Sequence, residues 1–216
     1  MSKKTWRNKV TSQHWCILVV FLFFGLHLGY INTPFVNLEW VYRQGSDYFI
    51  TGDKWFLEKY FFRQANPLTY SFIVSLLVNF FDIDQFAIYR ISALLGGCML
   101  LLALSKYHNP LLVLIVALNP LIWIYSGRTY PEMLSVGIMI LALVTFRNGT
   151  IKGILGAFSA IIKYHSIVVI GSYWGLRWFN YLIKNQPNAW KDKNFLAGVG
   201  SICGLIAFFL IYYQEF

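Results

Sequence analysis

Charged side chains are scarce in this chain of 216 residues, making up 12% of it, whereas hydrophobic residues make up 57%. Soluble domains usually carry about 25% charged residues, so the surface of this chain would be poorly solvated in water. The few charges are mostly basic, with 18 Lys and Arg against 9 Asp and Glu. No soluble nucleic-acid-binding motif accompanies them, so nucleic acid is not an expected partner. Basic residues in short loops instead orient membrane proteins and favour anionic lipid headgroups.

Cysteine is also rare, and its positions argue against two kinds of site. Cys16, Cys98 and Cys203 all lie inside apolar runs. Three cysteines with no metal-ligand spacing indicate neither a disulfide framework nor a metal centre. The chain also lacks a phosphate-binding glycine loop, a helix with two zinc-binding histidines, and a Ser-His-Asp constellation. We therefore expect no bound metal and no cofactor, and the metal requirement of any reaction stays open.

Long apolar runs dominate what is present. A spanning helix needs about 20 mostly apolar residues, with roughly 17 as the practical minimum. Backbone polar groups in lipid must be satisfied within the segment, so each spanning run should be helical. The sequence predicts an all-α, polytopic membrane protein from eight such runs, at residues 15–30, 68–81, 86–104, 110–125, 131–146, 151–162, 165–182 and 195–213.

The first run resembles a signal peptide, because four basic residues precede it: Lys3, Lys4, Arg7 and Lys9. No small-x-small cleavage site follows the run, so it is interpreted as a retained signal anchor. The N-terminus is then expected in the cytoplasm.

Charge in the later loops predicts how many runs cross the membrane. The basic loops at residues 147–152 and 184–193 should both be cytoplasmic. Five runs precede residue 147, so one of them must fail to span, and the crowded region 68–125 is the expected place. The chain 1–216 is thus predicted to be one membrane domain of about seven crossings. It consists of a first helix at 15–30, an outer loop at 31–67 and the remaining helices within 68–213.

The predicted outer loop combines acidic and aromatic residues. Glu39, Asp47 and Asp53 are interleaved with tryptophan, tyrosine and phenylalanine. Such a segment is expected to form interfacial helices, with its rings at headgroup depth and its charges in water. It reads equally well as an ordinary wet loop with anchoring rings or as an active-site wall at the membrane boundary.

Three further features interrupt the apolar background. Arg128 and Glu132 stand one helical turn apart between two apolar runs. Ionisable groups within a membrane protein's apolar region are costly to bury, so they usually serve a function. Lys163 interrupts another run, where a lysine either snorkels to the interface or pairs with an anion. Asn119-Pro120 is expected to permit a kink, because proline has no backbone donor. The competing interpretation is that Arg128 and Lys163 lie at helix ends and serve only to orient those helices in the membrane.

These features suit the transfer of a group from a lipid phosphate. Guanidinium offers a planar fork for phosphate and ammonium a compact point charge. A carboxylate can accept the proton of an incoming hydroxyl as a general base. The interfacial rings can stack on sugar faces or on a polyprenyl tail.

Five motifs follow one another along the chain. They are Gly45-Ser46-Asp47-Tyr48, Asn66-Pro67-Leu68-Thr69-Tyr70, Ala87-Ile88-Tyr89-Arg90-Ile91-Ser92-Ala93-Leu94, Asn119-Pro120-Leu121 leading to Tyr125-Ser126-Gly127-Arg128, and Ile162-Lys163-Tyr164-His165. In this order they resemble the shared transmembrane module of the GT-C glycosyltransferase superfamily, in particular its protein mannosyltransferase-like members, over roughly residues 15–213. Members of this superfamily use polyprenyl-phosphate sugars.

The resemblance implies roles for particular residues. The catalytic carboxylate falls in the first outer loop, with Asp47 as first choice, Glu39 as second and Asp53 as third. The donor phosphate is held by Arg128 and Lys163, with His165 beside them. Two residues, Tyr48 and Glu132, are assigned supporting roles.

The expected function is transfer of a sugar from a polyprenyl-phosphate donor to an acceptor on the non-cytoplasmic face. The alternative is a non-catalytic subunit of the same fold that binds a lipid or a partner protein. Typical members carry a second, variable set of helices, so a minimal version without it is expected here, with a partner membrane subunit or a homo-oligomer as an option. A prokaryotic inner membrane is favoured over the endoplasmic reticulum, and membrane lipids are expected partners.

Overall fold

The computed structural model describes residues 3–29, 31, 39–56, 68–163 and 165–183, together with residues 200 and 203. All regular elements in these ranges are helices, which confirms the all-α prediction at that level. In chain order the nine helices are α1 Lys3–Leu28, α2 Glu39–Thr51, α3 Thr69–Phe81, α4 Gln85–Ser105, α5 Pro110–Ala117, α6 Pro120–Ser126, α7 Pro131–Thr145, α8 Gly149–Ile162 and α9 Ser166–Ile183.

Local sequence explains where several helices begin. The Asp84 carboxylate accepts hydrogen bonds from two backbone N–H groups in the first turn of α4. Asn109, Asn119 and Asn148 cap α5, α6 and α8 in the same way, each accepting one bond. Asparagine and aspartate favour this position because their side chains satisfy otherwise orphaned donors. Proline at the first position of α5, α6 and α7 reinforces the start, since its missing N–H would be unsatisfied there anyway.

The apolar run at 110–125 is broken into two short helices. Helix α5 ends at Ala117, and α6 begins at Pro120 after the capping residue Asn119. The predicted kink at Asn119-Pro120 is therefore confirmed as a full interruption. His27 fixes α6 against the end of α1, because its Nε2 lies 3.1 Å from the Trp123 carbonyl oxygen.

The tightest helix contact joins α4 and α7. A Cβ atom built on Gly137 would lie 2.1 Å from the backbone oxygen of Gly96, so only glycine fits there. At the far end of the same pair, Lys106 Nζ donates to the carbonyl oxygens of Val144 and Thr145. A lysine at this place satisfies orphan carbonyls and complements the dipole at the C-terminus of α7.

Contacts between helix ends show how the chain runs back and forth. Arg90, near the start of α4, donates to the Ile31 carbonyl just beyond α1. Lys106 joins the C-terminal ends of α4 and α7, so these two helices are parallel. Lys163, at the end of α8, pairs with Glu132 at the start of α7, so α7 and α8 are antiparallel. One end of the bundle therefore gathers the ends of α1, α6 and α8 with the starts of α4, α7 and α9.

Two helices among the described residues are long and apolar enough to cross a bilayer, Thr11–Leu28 within α1 and Gln85–Ser105. Four apolar helical stretches are shorter, at Thr69–Phe81, Pro131–Thr145, Gly149–Ile162 and Ser166–Leu176. The first helix is longer than the predicted run 15–30, because it begins at Lys3 within the basic segment. The expected seven crossings remain a prediction.

The predicted outer loop contains the helix α2. Its buried face carries Val41, Tyr42 and Ser46, and the Tyr42 carbonyl accepts a 2.6 Å hydrogen bond from the Tyr89 hydroxyl of α4. The sequence predicted interfacial helices in this loop, and α2 is a helix within it. One face of α2 is buried against neighbouring helices, so α2 does not lie only at the surface of the bundle. Several predicted features lie outside the described residues: residues 57–67 of this loop, Tyr164, the basic loop 184–193 and, apart from residues 200 and 203, the last apolar run 195–213.

Candidate functional site

Glu39 forms the centre of a charged cluster at the end of the bundle defined above. It is the first residue of α2 and is 1% exposed. Its Oε1 accepts a 3.0 Å hydrogen bond from the Thr129 backbone N–H. Its Oε2 lies 3.4 Å from Arg128 Nη1 and 3.9 Å from Arg90 Nη2. A carboxylate is favoured at a helix N-terminus, and here two guanidinium groups also offset the cost of burying it.

Arg90 is the residue of this cluster to which the sequence analysis gave no role. Its side chain is 2% exposed, and its Nη1 donates a 2.5 Å hydrogen bond to the Ile31 carbonyl oxygen. The side chain thus joins the end of α1, the start of α2 and the interior of α4. A signal was present in the sequence, because an arginine one turn inside a long apolar helix must find partners within the protein.

A second ion pair lies at the start of α7. Lys163 Nζ is 2.7 Å from Glu132 Oε1, and Lys163 is 8% exposed. Below this pair, the Ser135 hydroxyl contacts the Ser159 hydroxyl at 3.1 Å and the Ser166 hydroxyl at 2.6 Å. These bonds tie α7, α8 and α9 together, so the position of Lys163 is fixed by its neighbours.

Tyr130 stands between the two ion pairs. Burial raises the pKa of its phenol, and the Glu39 carboxylate acts in the same direction, with a smaller contribution from Glu132. Its ring packs against Tyr125 at 5.5 Å and against Tyr42 at 6.1 Å between centroids. An aromatic wall therefore lies beside the charges, as a sugar-binding or lipid-binding site would require.

The structure brings Arg128 and Lys163 to the same end of the bundle, each beside a carboxylate. Three cations, Arg90, Arg128 and Lys163, meet two carboxylates in this cluster. One positive charge is thus in excess. Arg128 is 34% exposed, whereas Arg90 and Lys163 are buried. Arg128 is therefore the cation best able to meet an anion from outside.

The remaining predicted site residues lie away from Glu39. Asp47 is eight residues further along α2, about 12 Å at 1.5 Å per residue. One of its oxygens lies 3.2 Å from Arg43 Nε, and the other accepts a 2.9 Å bond from Gln85 Nε2. The neighbouring Tyr48 ring packs on Phe49. Asp53 is exposed and accepts a hydrogen bond from the Trp55 N–H.

His165 is exposed at the start of α9, two residues after Lys163. Among the described residues, no group of three His, Cys, Asp or Glu side chains is placed to hold a metal ion.

Three of the buried polar side-chain atoms that have no hydrogen-bond partner among the described residues lie within residues 126–132, where α6 meets α7. These three are Ser126 Oγ, Thr129 Oγ1 and Glu132 Oε2. Buried polar atoms are normally paired, so this seven-residue segment differs from an ordinary structural turn. It combines unpaired acceptors and hydroxyls with the partly exposed cation Arg128.

A groove of about 160 Å³ opens between α6 and α7 next to this segment. It is apolar apart from Tyr125 and Glu132, and its lining residues are Leu121, Ile122, Tyr125, Glu132, Met133 and Val136. Comparisons of the chain with protein-family models, curated proteins and solved structures found no match.

Proposed function

We propose that the chain is a multi-pass integral membrane protein. Large apolar side chains point outward on different helices, with Phe21 70%, Phe80 81% and Val168 70% exposed. Water-soluble monomers rarely expose contiguous apolar patches larger than a few hundred Å². A bilayer is the solvent that suits such a surface, and it agrees with the two spanning-length helices.

Charge segregation supports an orientation for this protein. The described carboxylates all belong to segments at the Glu39 end of the bundle: Glu39, Asp47, Asp53, Asp82, Asp84 and Glu132. The opposite end carries Lys106, Arg147 and Lys152 together with the basic start of α1, which contains Lys3, Lys4, Arg7 and Lys9. The Glu39 end also carries Lys54 and four basic residues that are ion-paired there: Arg43, Arg90, Arg128 and Lys163. Because basic residues are retained on the cytoplasmic side, the Glu39 end faces the non-cytoplasmic side.

The directions of the helices indicate which apolar runs make the seven proposed crossings. Helix α1 ends and α4 begins at the same end of the bundle, so α2 and α3 between them add an even number of crossings. That number is taken as zero because Tyr70, at the start of α3, contacts Tyr89 and Ser92 in the first half of α4. The apolar run 68–81, which forms α3, is then the one that fails to span. The proposed crossings are α1, α4, the broken pair α5–α6, α7, α8 and α9, with a seventh at the apolar run 195–213 that rests on the sequence alone.

Within this frame we propose that the chain is a GT-C-like glycosyltransferase, as the motif resemblance implies. The observation that carries the proposal is the cluster around Glu39, where three cations meet two carboxylates beside exposed apolar surface. An excess cation with a planar fork at this depth suits the phosphate of a polyprenyl-phosphate sugar. Glu39, which is also paired with Arg90, holds Arg128 in place, and Tyr125 and Tyr130 offer rings to the sugar.

A specific observation favours the second candidate, a non-catalytic subunit that binds lipid or a partner. The carboxylates of Glu39 and Asp47 both have their two oxygens engaged by neighbouring groups. A general base needs a free lone pair within reach of the proton it removes. If neither residue can be freed, the cluster binds an anion without chemistry at those positions.

Transfer of labelled sugar from a polyprenyl-phosphate donor, catalysed by the full chain in lipid nanodiscs, tests the transferase proposal. Arg128→Lys keeps the charge but loses the planar fork, so the KM for the donor should rise about tenfold with a smaller change in kcat. Arg147→Lys is the matched control at the opposite end and should leave both parameters unchanged. Equal KM values for the two variants would exclude Arg128 from the donor site. Absence of sugar transfer by the wild-type chain would favour the non-catalytic subunit.

A further inference from the structure

Arg43 carries a guanidinium group that its neighbours hold in one position on α2. Its Cζ atom lies 4.8 Å from the centroid of the Phe86 ring and 5.3 Å from that of Trp40. Its Nε lies 3.2 Å from an oxygen of Asp47, one helical turn further along α2. The side chain is 35% exposed, and the guanidinium makes no hydrogen bond among the described residues. The N–H donors of Arg43 are therefore accessible to a ligand from outside the chain.

Asp47 is itself held in place by the start of α4. Its second oxygen accepts a 2.9 Å hydrogen bond from Gln85 Nε2, and Gln85 Oε1 accepts a 2.8 Å bond from the Ser46 hydroxyl. Gln85 is 8% exposed and is the first residue of α4. The pair of Arg43 and Asp47 is thus joined to a second helix through a buried amide. An ordinary surface ion pair, made by two long flexible side chains, has no such support.

The first turn of α4 indicates the depth of this pair in a bilayer. Helix α4 is long and apolar enough to span, so its first turn lies at the boundary between the apolar core and the headgroups. Asp47 contacts that turn through Gln85, and Arg43 contacts it through the ring of Phe86. Trp40 is 47% exposed, and tryptophan is enriched at this boundary. The pair therefore faces the lipid headgroups.

The charges of the pair determine which headgroup fits. The guanidinium and the carboxylate together carry no net charge. A purely anionic headgroup is attracted by Arg43 and repelled by Asp47, which is 17% exposed. A zwitterionic headgroup can place its phosphate on Arg43 and its ammonium towards Asp47, so both of its charges meet an opposite charge. Guanidinium suits the phosphate because its N–H groups form a planar fork.

We propose that Arg43 and Asp47 bind the headgroup of a zwitterionic phospholipid in the non-cytoplasmic leaflet. The phosphate lies on Arg43, the ammonium group lies beside Asp47, and the acyl chains stay in the bilayer. This inference rests on the membrane placement proposed above and is independent of the transferase. It assigns Asp47 to lipid binding and makes α2 a helix that a lipid holds at the membrane boundary.

Native mass spectrometry of the full chain in detergent measures the binding of single lipids. The probes are dioleoyl phosphatidylethanolamine, which is zwitterionic, dioleoyl phosphatidylglycerol, which is anionic, and dioleoylglycerol, which has no phosphate. The wild type should bind phosphatidylethanolamine about threefold more tightly than phosphatidylglycerol, because one repulsive charge at a partly exposed site is worth roughly that factor. Dioleoylglycerol should bind most weakly of the three.

Two soluble competitors distinguish a lipid site from a site for free phosphate. Inorganic phosphate and O-phosphorylethanolamine carry the polar groups without the acyl chains. Each should need a concentration at least about a hundredfold higher than that of the lipid to displace it, because the contribution of the buried chains is lost.

Three variants separate the roles of the two charges. Arg43→Gln removes the phosphate donors and should weaken phosphatidylethanolamine binding at least about fivefold. Lys54→Gln removes an exposed cation elsewhere in the predicted outer loop, so it is the matched control and should bind like the wild type. Asp47→Asn leaves Arg43 uncompensated, so phosphatidylglycerol should now bind about threefold more tightly than phosphatidylethanolamine. A purely structural role of Asp47 would not reverse the preference.

Near-ultraviolet circular dichroism shows which variants are folded. If Asp47→Asn does not fold, Arg43→Lys takes its place, because it keeps the net charge of the pair and loses the planar fork. Its affinity for phosphatidylethanolamine should fall about threefold, while the preference over phosphatidylglycerol stays. Loss of that preference in a folded Arg43→Lys would contradict the charge argument.

Three further results would overturn the site. They are equal binding of phosphatidylethanolamine by Arg43→Gln and Lys54→Gln, an unchanged preference in folded Asp47→Asn, and displacement of the lipid by either soluble competitor at a similar concentration. Carbonate extraction of membranes that contain the chain tests the membrane placement separately. A chain released by carbonate is not integral, and both proposals then fall. A chain that is retained but shows no headgroup preference loses this site alone, and neither result depends on sugar transfer.

Discussion

Replacing Gly137 by alanine should separate α4 from α7, the closest helix pair in the described part of the chain. The new Cβ would lie 2.1 Å from the Gly96 backbone oxygen and 2.8 Å from the Gly96 Cα. Close C···O contacts between helices lie at about 3.3 Å, so the helices must part by roughly 1 Å. The obstacle is backbone, which no rotamer change can move aside.

The magnitude follows from two opposing effects. Overpacking a close interface typically costs about 1–3 kcal/mol, and a backbone clash belongs at the upper end. Alanine is intrinsically better than glycine inside a helix by about 1 kcal/mol, which offsets part of that loss. A net destabilisation of about 2 kcal/mol corresponds to a fall in Tm of roughly 4–8 °C for a chain of this size.

Thermal unfolding of the purified protein in detergent, followed by near-ultraviolet circular dichroism, measures this effect. Gly171→Ala is the matched control, because nothing lies within 4 Å of a Cβ built there in the outward face of α9. Its Tm should stay the same or rise by a few degrees. If Gly137→Ala were as stable as Gly171→Ala, the close contact between α4 and α7 would be refuted.

Three other predictions concern the charges. Glu39→Gln removes the carboxylate that compensates the buried guanidinium of Arg90, so it should lower the free energy of chemical unfolding by about 3–5 kcal/mol. The double variant with Arg90→Met should recover part of that free energy. Asp47→Asn should lower sugar transfer by about 10²–10⁴ if Asp47 is the base. A fall of less than threefold would exclude Asp47 as the base. A cysteine placed at Asp82 should react with an impermeant thiol reagent added outside cells, and one at Arg147 should not; the reverse pattern would contradict the proposed orientation.

Local chemistry made part of this structure predictable. The interruption between α5 and α6 follows from Asn119 and Pro120 alone, because proline removes a donor and asparagine caps the next helix. The pairing of Arg90 with Glu39 could not be predicted in the same way. These residues are 51 positions apart, and their contact depends on how α2 lies across α4. The sequence analysis placed Glu39 in the outer loop and Arg90 only within a motif, and it indicated no contact between them.

The same dependence on how the helices pack explains why the contacts of Asp47 and of the two glycines, Gly96 and Gly137, were not predicted. Asp47 was the first choice for a catalytic base from its motif, but its partner Gln85 lies beyond an intervening helix. Gly96 and Gly137 are visible as small residues in apolar runs. Their mutual approach depends on the rotation of both helices, which hydrophobic periodicity does not fix when lipid and protein faces are equally apolar.

The break at Asn119-Pro120 has a mechanical consequence for the groove beside it. Helix α6 is seven residues long and starts anew at Pro120, after the Asn119 cap, instead of continuing α5. The wall that it forms is held by His27, whose Nε2 lies 3.1 Å from the Trp123 carbonyl oxygen. The other wall belongs to α7, which packs closely against α4. Both walls are therefore anchored to other helices, so the width of the groove is set by the fold and should change little when a ligand enters.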